Sequence, residues 1–166
     1  MEYAEKVALE CLSVTEEISL QIGKRFEKFT ISEMVLDENG VPNNNKKNNF
    51  KSINETGDIG VYAFEDPNAV IRYIGQGGRG RKTPLKSRIS QELRLFEKTK
   101  NGNNGGTLSK NIQEIDSIEF NTKLEWQTFI STWKIRVISQ SNWNISINVI
   151  EAFLIEVIDP RYNLNK

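Results

Sequence analysis

Residues 60–75, "GVYAFEDPNAVIRYIG", set a β-branched and aromatic run on either side of the turn sequence "EDPN". Pro67 presets φ and Asn68 tolerates a tight corner, so the stretch predicts a β-hairpin with strands at about 59–65 and 70–75. Each strand carries a tyrosine, Tyr62 and Tyr73. Either these are ordinary sheet aromatics, or their hydroxyls face a shared pocket.

Working outward, a helix is expected at about 84–98, with Thr83 as N-cap and Pro84 at the first helical position. "KNGNNGG" (100–106) reads as a loop of no use to a helix or strand. "WKIRVIS" (133–139) alternates as a third strand, and a last helix spans about 145–158 and stops before Pro160. Upstream, Val7, Ala8, Cys11, Leu12, Ile18, Ile22, Phe26 and Phe29 recur at helical spacing, which predicts one or two helices over 2–33. The polar, Asn-rich stretch 37–57 reads as a connector. The order β-β-α-insert-β-α places the chain in the α+β class. Residues 1–57 form an N-terminal helical extension with its connector, and 58–166 the compact domain.

At 166 residues, 37% apolar and 27% charged, the chain can bury a sizeable core. The single cysteine, Cys11, excludes an intramolecular disulfide and fits a reducing cytoplasm, where the protein is expected to reside. Cys11 itself reads as a small hydrophobe on a helix. "MEYAEKVALECLSVTEE" carries acids throughout, unlike a secretory signal. The most apolar segment, "VIEAFLIEVI" (149–158), is short and broken by two glutamates, so no membrane association is expected. The absence of histidine excludes His-ligated metals, His general bases and Ser-His triads, leaving Tyr, Arg, Lys and carboxylates for any chemistry.

Formal net charge is zero, but residues 71–100 hold nine basic residues against Glu92 and Glu97. A polyanion responds to such a local field over about 10 Å, not to the whole-chain sum. A solvated charge run is the plainer account of the stretch taken alone.

Two helices carry charges among apolar positions. Ile147, Ile150, Phe153, Leu154, Ile155, Val157 and Ile158 form one broad arc of the last helix, with Glu151 inside it and Glu156 opposite. A carboxylate there needs a cation, a metal or a proton, unless it is partly exposed or held in a structural ion pair. In helix 84–98, Arg88 and Glu92 fall in the arc of Leu85, Ile89, Leu93, Leu95 and Phe96. They are either an i, i+4 ion pair, or an anion-binding arginine with its orienting partner.

These pieces together resemble the GIY-YIG nucleases. "GVY" (60–62) and "YIG" (73–75), "LKSR" (85–88) ending in the family's arginine, and "IEAFLIEVIDPRYN" (150–163), a glutamate followed 12 positions later by an asparagine, occur in the family's order. The match covers residues 58–166. The resemblance implies a small three-stranded antiparallel sheet flanked by helices. It implies a divalent-metal-dependent endonuclease that hydrolyses phosphodiester bonds in double-stranded DNA, with one Mg²⁺ or Mn²⁺ per site and no small-molecule cofactor. Tyr62 and Tyr73 match the motif tyrosines, Arg88 the catalytic arginine, Glu151 the metal ligand and Asn163 the site asparagine. Glu151 would hold the ion, Arg88 would fork onto the phosphate, and Tyr62 would orient or deprotonate water, aided by nearby cations. Asn163 would anchor the site and Tyr73 position the nucleophile or phosphate.

Three departures stand out. Gln76 follows "YIG" where many relatives have lysine, and Lys82, Lys86 or Arg79 would substitute. "QGGRGRKTP" is longer than the link in repair-type relatives. Glu92 stands where several relatives carry histidine, as a proton acceptor or as the partner of Arg88. The chain ends three residues after Asn163, without the DNA-binding arm of homing relatives. A stand-alone restriction-type enzyme is the expectation. Nucleic-acid contacts are assigned to Arg79, Arg81, Lys82 and Lys86, whose arginines read guanine edges or touch phosphates only. A two-fold dimer through residues 1–35 would suit a palindromic site. The alternatives are a repair or mobile-element nuclease acting on structured DNA, and a non-catalytic DNA-binding module. Trp126, Trp133 and Trp143 read as core and strand-edge aromatics.

Overall fold

The computed structural model describes residues 27–36, 39, 59–78, 83–99, 102–139 and 146–164. The expected hairpin is present: β2 (Gly60–Glu65) and β3 (Ile71–Gly77) pair antiparallel, with Tyr62 opposite Gly75 and Phe64 opposite Tyr73. Asp66 organises the turn by accepting from the amides of Asn68 (2.9 Å) and Val70 (3.0 Å) and from Arg72 Nε (2.7 Å). The left-handed residue of the turn is Ala69, at φ 62°. The Asp66 side chain, which bonds the amides on both sides of Ala69, holds that conformation.

Strand β6 (Lys134–Ser139) pairs with β2, and β1 (Glu27–Thr30) pairs with β6. The three expected strands are thus extended to a four-stranded antiparallel sheet, in the order β1-β6-β2-β3. Residues 27–30 are strand, not helix, and the short helix α1 (Ser32–Val35) follows them. Ile31 and Val35 are buried with the main core, so part of the segment read as an extension belongs to the sheet unit. The helices expected earlier in the chain, including Cys11, and most of the Asn-rich connector lie outside the described residues, as does Trp143.

Helix α2 (Leu85–Glu92) is shorter than the sequence suggested, and Pro84 rather than Thr83 occupies its N-cap. Within "KNGNNGG", Gly102–Asn104 form strand β5, which pairs with β4 (Glu97–Thr99), where a loop was expected. Gly102 and Gly105 supply positive φ there, and a Cβ on Gly105 would lie 2.2 Å from the Leu95 carbonyl oxygen. The insert continues as α3 (Thr107–Asp116) and α4 (Lys123–Ser131), the latter capped by Thr122, which accepts from the Glu125 amide at 3.2 Å. Helix α5 (Ile147–Ile158) closes the fold.

The pleat divides these elements. Tyr62, Phe64, Tyr73, Ile135 and Val137 pack with α2, α3 and α4 through Leu85, Ile89, Leu108, Ile112, Trp126 and Ile130. Val61, Ala63 and Ile74 pack on the other face with Ile147, Ile150 and Leu154 of α5. Trp126 and Trp133 are core residues, as expected. Val157, placed in the apolar arc of the last helix, is instead 64% exposed, because the helix meets the sheet through Ile147, Ile150 and Leu154, with Phe153, Ile155 and Ile158 packed beside them. Among the described residues no helix is long and apolar enough to cross a membrane.

Candidate active site

Strand β3 is an edge of the sheet, and its second half, Tyr73 to Gly77, carries glycine at two of three positions facing α2. These glycines make room. A Cβ on Gly75 would lie 2.4 Å from the Tyr62 hydroxyl oxygen, and one on Gly77 would lie 2.5 Å from the Leu85 Cα. The ring of Tyr62 therefore lies across Gly75, and α2 packs directly on Gly77. Beside this thin edge is a cavity of about 210 Å³ lined by Tyr62, Tyr73, Gln76, Thr83, Arg88 and Glu151, with Gly75, Gly77 and Gly78. The hairpin tyrosines thus face a shared pocket. Arg88 reaches it from α2 on one face of the sheet, and Glu151 from α5 on the other.

The fifth assigned residue, Asn163, clamps the strand. Its Oδ1 accepts from the Ile74 amide at 2.9 Å and its Nδ2 donates to the Ile74 carbonyl at 2.8 Å. With the Tyr162 amide donating to Arg72 O at 2.9 Å, the C-terminal segment completes the hydrogen bonding of an edge strand. Asn163 holds the strand backbone and does not line the cavity.

Glu92 does more than partner Arg88. It is fully buried, and its Oε1 lies 3.4 Å from Arg88 Nη2 while accepting long hydrogen bonds from Tyr73 (3.4 Å) and Tyr62 (3.5 Å). Its Oε2 accepts from the Leu108 amide at 2.9 Å, at the N-terminus of α3. The sequence signal for this hub was only the i, i+4 spacing from Arg88.

Burial, reinforced by the charges of Tyr73, Glu92 and Glu151, pushes the Tyr62 phenol well above its ordinary range, against the opposing pull of Arg88. Tyr73 is raised in the same way, by burial first and then by Glu92. Both hydroxyls are neutral donors, turned toward Glu92. Burial opposes the Arg88 cation, but Tyr62, Glu92 and Tyr73 outweigh it and hold the guanidinium charged.

Of the residues assigned to nucleic-acid contact, Lys86 lies on the first turn of α2, half-buried, and Arg79, Arg81 and Lys82 lie outside the described residues. Their flanking residues are placed: the Gly78 amide donates to Thr83 O at 2.9 Å, and both residues line the cavity.

The donor set of the cavity is oxygen-rich: the Glu151 carboxylate, two phenols, the Thr83 hydroxyl and the Gln76 amide. Oε1 of Gln76 is buried and has no hydrogen-bond partner among the described residues. Among the described residues no cluster of three or more His, Cys, Asp or Glu exists. One carboxylate with neutral oxygens fits a hard, largely hydrated cation such as Mg²⁺, and does not fit Zn²⁺. No protein-family model, curated protein or solved structure matches the chain.

Proposed function

We propose that the protein is a divalent-metal-dependent DNA endonuclease of the GIY-YIG kind, acting as a restriction-type enzyme on double-stranded DNA. The observation that carries this reading is the convergence of Tyr62, Tyr73, Arg88 and Glu151, four residues distant in sequence, on one cavity at a sheet edge. That cavity combines a cation, a carboxylate and two phenols, groups that can neutralise a phosphoryl charge, hold a metal ion and orient a water.

Glu151 would hold the metal, Mg²⁺ or Mn²⁺, one ion per site. When bound, it supplies charge neutralisation at the phosphate. Arg88, about a quarter exposed, binds the phosphoryl oxygens as negative charge builds there. Tyr62 orients the attacking water through its oxygen lone pair, since its O–H is committed to Glu92. As the water oxygen bonds to phosphorus and the P–O ester bond breaks, the water proton passes to the Tyr62 oxygen and the Tyr62 proton to Glu92 Oε1. The leaving oxygen takes its proton from solvent, and Glu92 returns its own to solvent through Tyr62, restoring both groups. This relay needs no free tyrosinate, which burial disfavours. Tyr73 shares Glu92 and fixes it in place. Arg79, Arg81, Lys82 and Lys86 would contact the DNA.

The test is digestion of plasmid and phage DNA with Mg²⁺ or Mn²⁺, comparing wild type with Glu151→Ala. Discrete metal-dependent fragments lost in the variant are expected. Nicking or preference for branched DNA, again lost in the variant, would replace the restriction role with a repair or mobile-element role. No cleavage, or cleavage that survives Glu151→Ala, would refute the mechanism, and salt-dependent binding alone would leave a DNA-binding module.

A further inference from the structure

Gln76 has no part in the chemistry above, yet its position is specific. It pairs with Val61 across β2 and β3, and Val61 belongs to the face covered by α5. Gln76 therefore stands on the Glu151 side of the edge strand, and both residues line the same cavity. Its Oε1 is shielded from solvent and meets no donor among the described residues. A desolvated acceptor of this kind costs about 1–3 kcal/mol unless something satisfies it. A phosphate oxygen cannot, because it is itself an acceptor. A cavity water can, and so can a cation; with the Glu151 carboxylate lining the same cavity a cation is the partner that would use both oxygens, and amide oxygens are ordinary ligands for hard cations.

We infer that Gln76 is the second protein oxygen of the divalent-cation site, acting with Glu151 to bind the ion before DNA arrives. The inference rests on the cation site of the proposed function. The site carries little charge of its own, since Glu92 on the opposite face is engaged by Arg88, both tyrosines and the Leu108 amide. A neutral oxygen at position 76 adds affinity without adding charge, whereas an ammonium there would repel the ion.

The experiment is Mn²⁺ titration of the full-length protein without DNA, with free Mn²⁺ read by electron paramagnetic resonance and folding checked by circular dichroism. Glu151→Ala is the control and should abolish the site. Gln76→Leu should weaken Mn²⁺ binding about tenfold, as loss of supporting contacts at metal sites generally does. Gln76→Lys should weaken it further, and Gln76→Glu should tighten it. This opposite response to opposite charges is a signature that a merely structural role would not give. Equal affinity in wild type, Gln76→Leu and Gln76→Glu would overturn the inference, as would absence of Mn²⁺ binding by wild type. Mn²⁺ binding with the expected ranking in a protein that never cuts DNA would uphold the cation site and refute the nuclease reading instead.

Discussion

Substituting Gly75 by alanine tests whether the glycine of "YIG" exists to seat Tyr62. The new Cβ would lie 2.4 Å from the tyrosine hydroxyl oxygen, 2.6 Å from Cζ and 3.0 Å from Cε2, well inside van der Waals contact. The ring has little room to retreat: Tyr62 is fully buried, with Phe64 edge-on at 5.8 Å and Tyr73 at 6.4 Å between centroids. Overpacking of this kind costs about 1–3 kcal/mol, which corresponds to a fall in Tm of roughly 3–10 °C in a chain of this size. Gly75→Ala should therefore melt lower than wild type by calorimetry and lose metal-dependent cleavage, because the displaced hydroxyl leaves Glu92. In a Tyr62→Phe background the nearest contact is gone while those to Cζ and Cε2 persist. The same substitution should then be milder, with a coupling of about 0.5–1 kcal/mol in the double-mutant cycle. A Gly75→Ala variant that melts within 1 °C (~0.3 kcal/mol) of wild type and cleaves DNA at the wild-type rate would refute this account of the hairpin.

Asn163→Ala removes both bonds to Ile74 and leaves an amide and a carbonyl of the edge strand to water. It should cost about 1–3 kcal/mol by urea denaturation and lower cleavage through movement of β3, and Asn163→Asp, which keeps the acceptor for the Ile74 amide but sets a carboxylate oxygen against the Ile74 carbonyl, should also destabilise. The alkaline limb of stability has a defined sign. Burial, then the hydrogen bond to Asp116, pushes Tyr162 up to about 12, so its contribution is complete below the unfolded value of about 10 and is lost as pH rises through about 12. Urea midpoints measured at pH 9 and pH 11.5 should fall less in Tyr162→Phe than in wild type, and an unchanged slope would count against the assignment.

The parts of the fold legible in the sequence are those whose local pattern agrees with their tertiary environment. The hairpin, β6 and the last helix each combine a clean period with turn or stop residues. Glu151 and Arg88 were conspicuous because a charge inside an apolar arc demands a reason. What escaped was decided by contacts distant in sequence. Residues 27–30 continue a helical spacing, yet β6 offers them a ladder, and pairing overrides propensity. The α2 pattern runs on to Phe96, but the chain turns at Leu93 so that Gly106 can donate to Arg94 O at 3.1 Å. One local signal was readable and unused: "TKLE" (122–125) is a capping-box sequence, and it does start α4. The only local signal at Glu92 was its spacing from Arg88; its bonds to Tyr62 and Leu108, 30 and 16 residues away, left none.

The insert, unassigned from sequence, is what fixes the geometry of the site. Its helix α3 holds Glu92 from the Leu108 amide, and so holds the carboxylate that orients both tyrosines and Arg88. Asn111, on the same helix, donates to Tyr162 O at 2.7 Å, and Asp116 at its end engages both Tyr162 and Arg161. The next residue along, Asn163, clamps Ile74 on β3, one position after Tyr73 and one before Gly75. A single helix thus braces the cavity twice, once through Glu92 and once through the C-terminal segment that completes the strand edge. A site assembled from residues near 62, 73, 88 and 151 needs such a brace, because none of its own short elements spans both faces of the sheet.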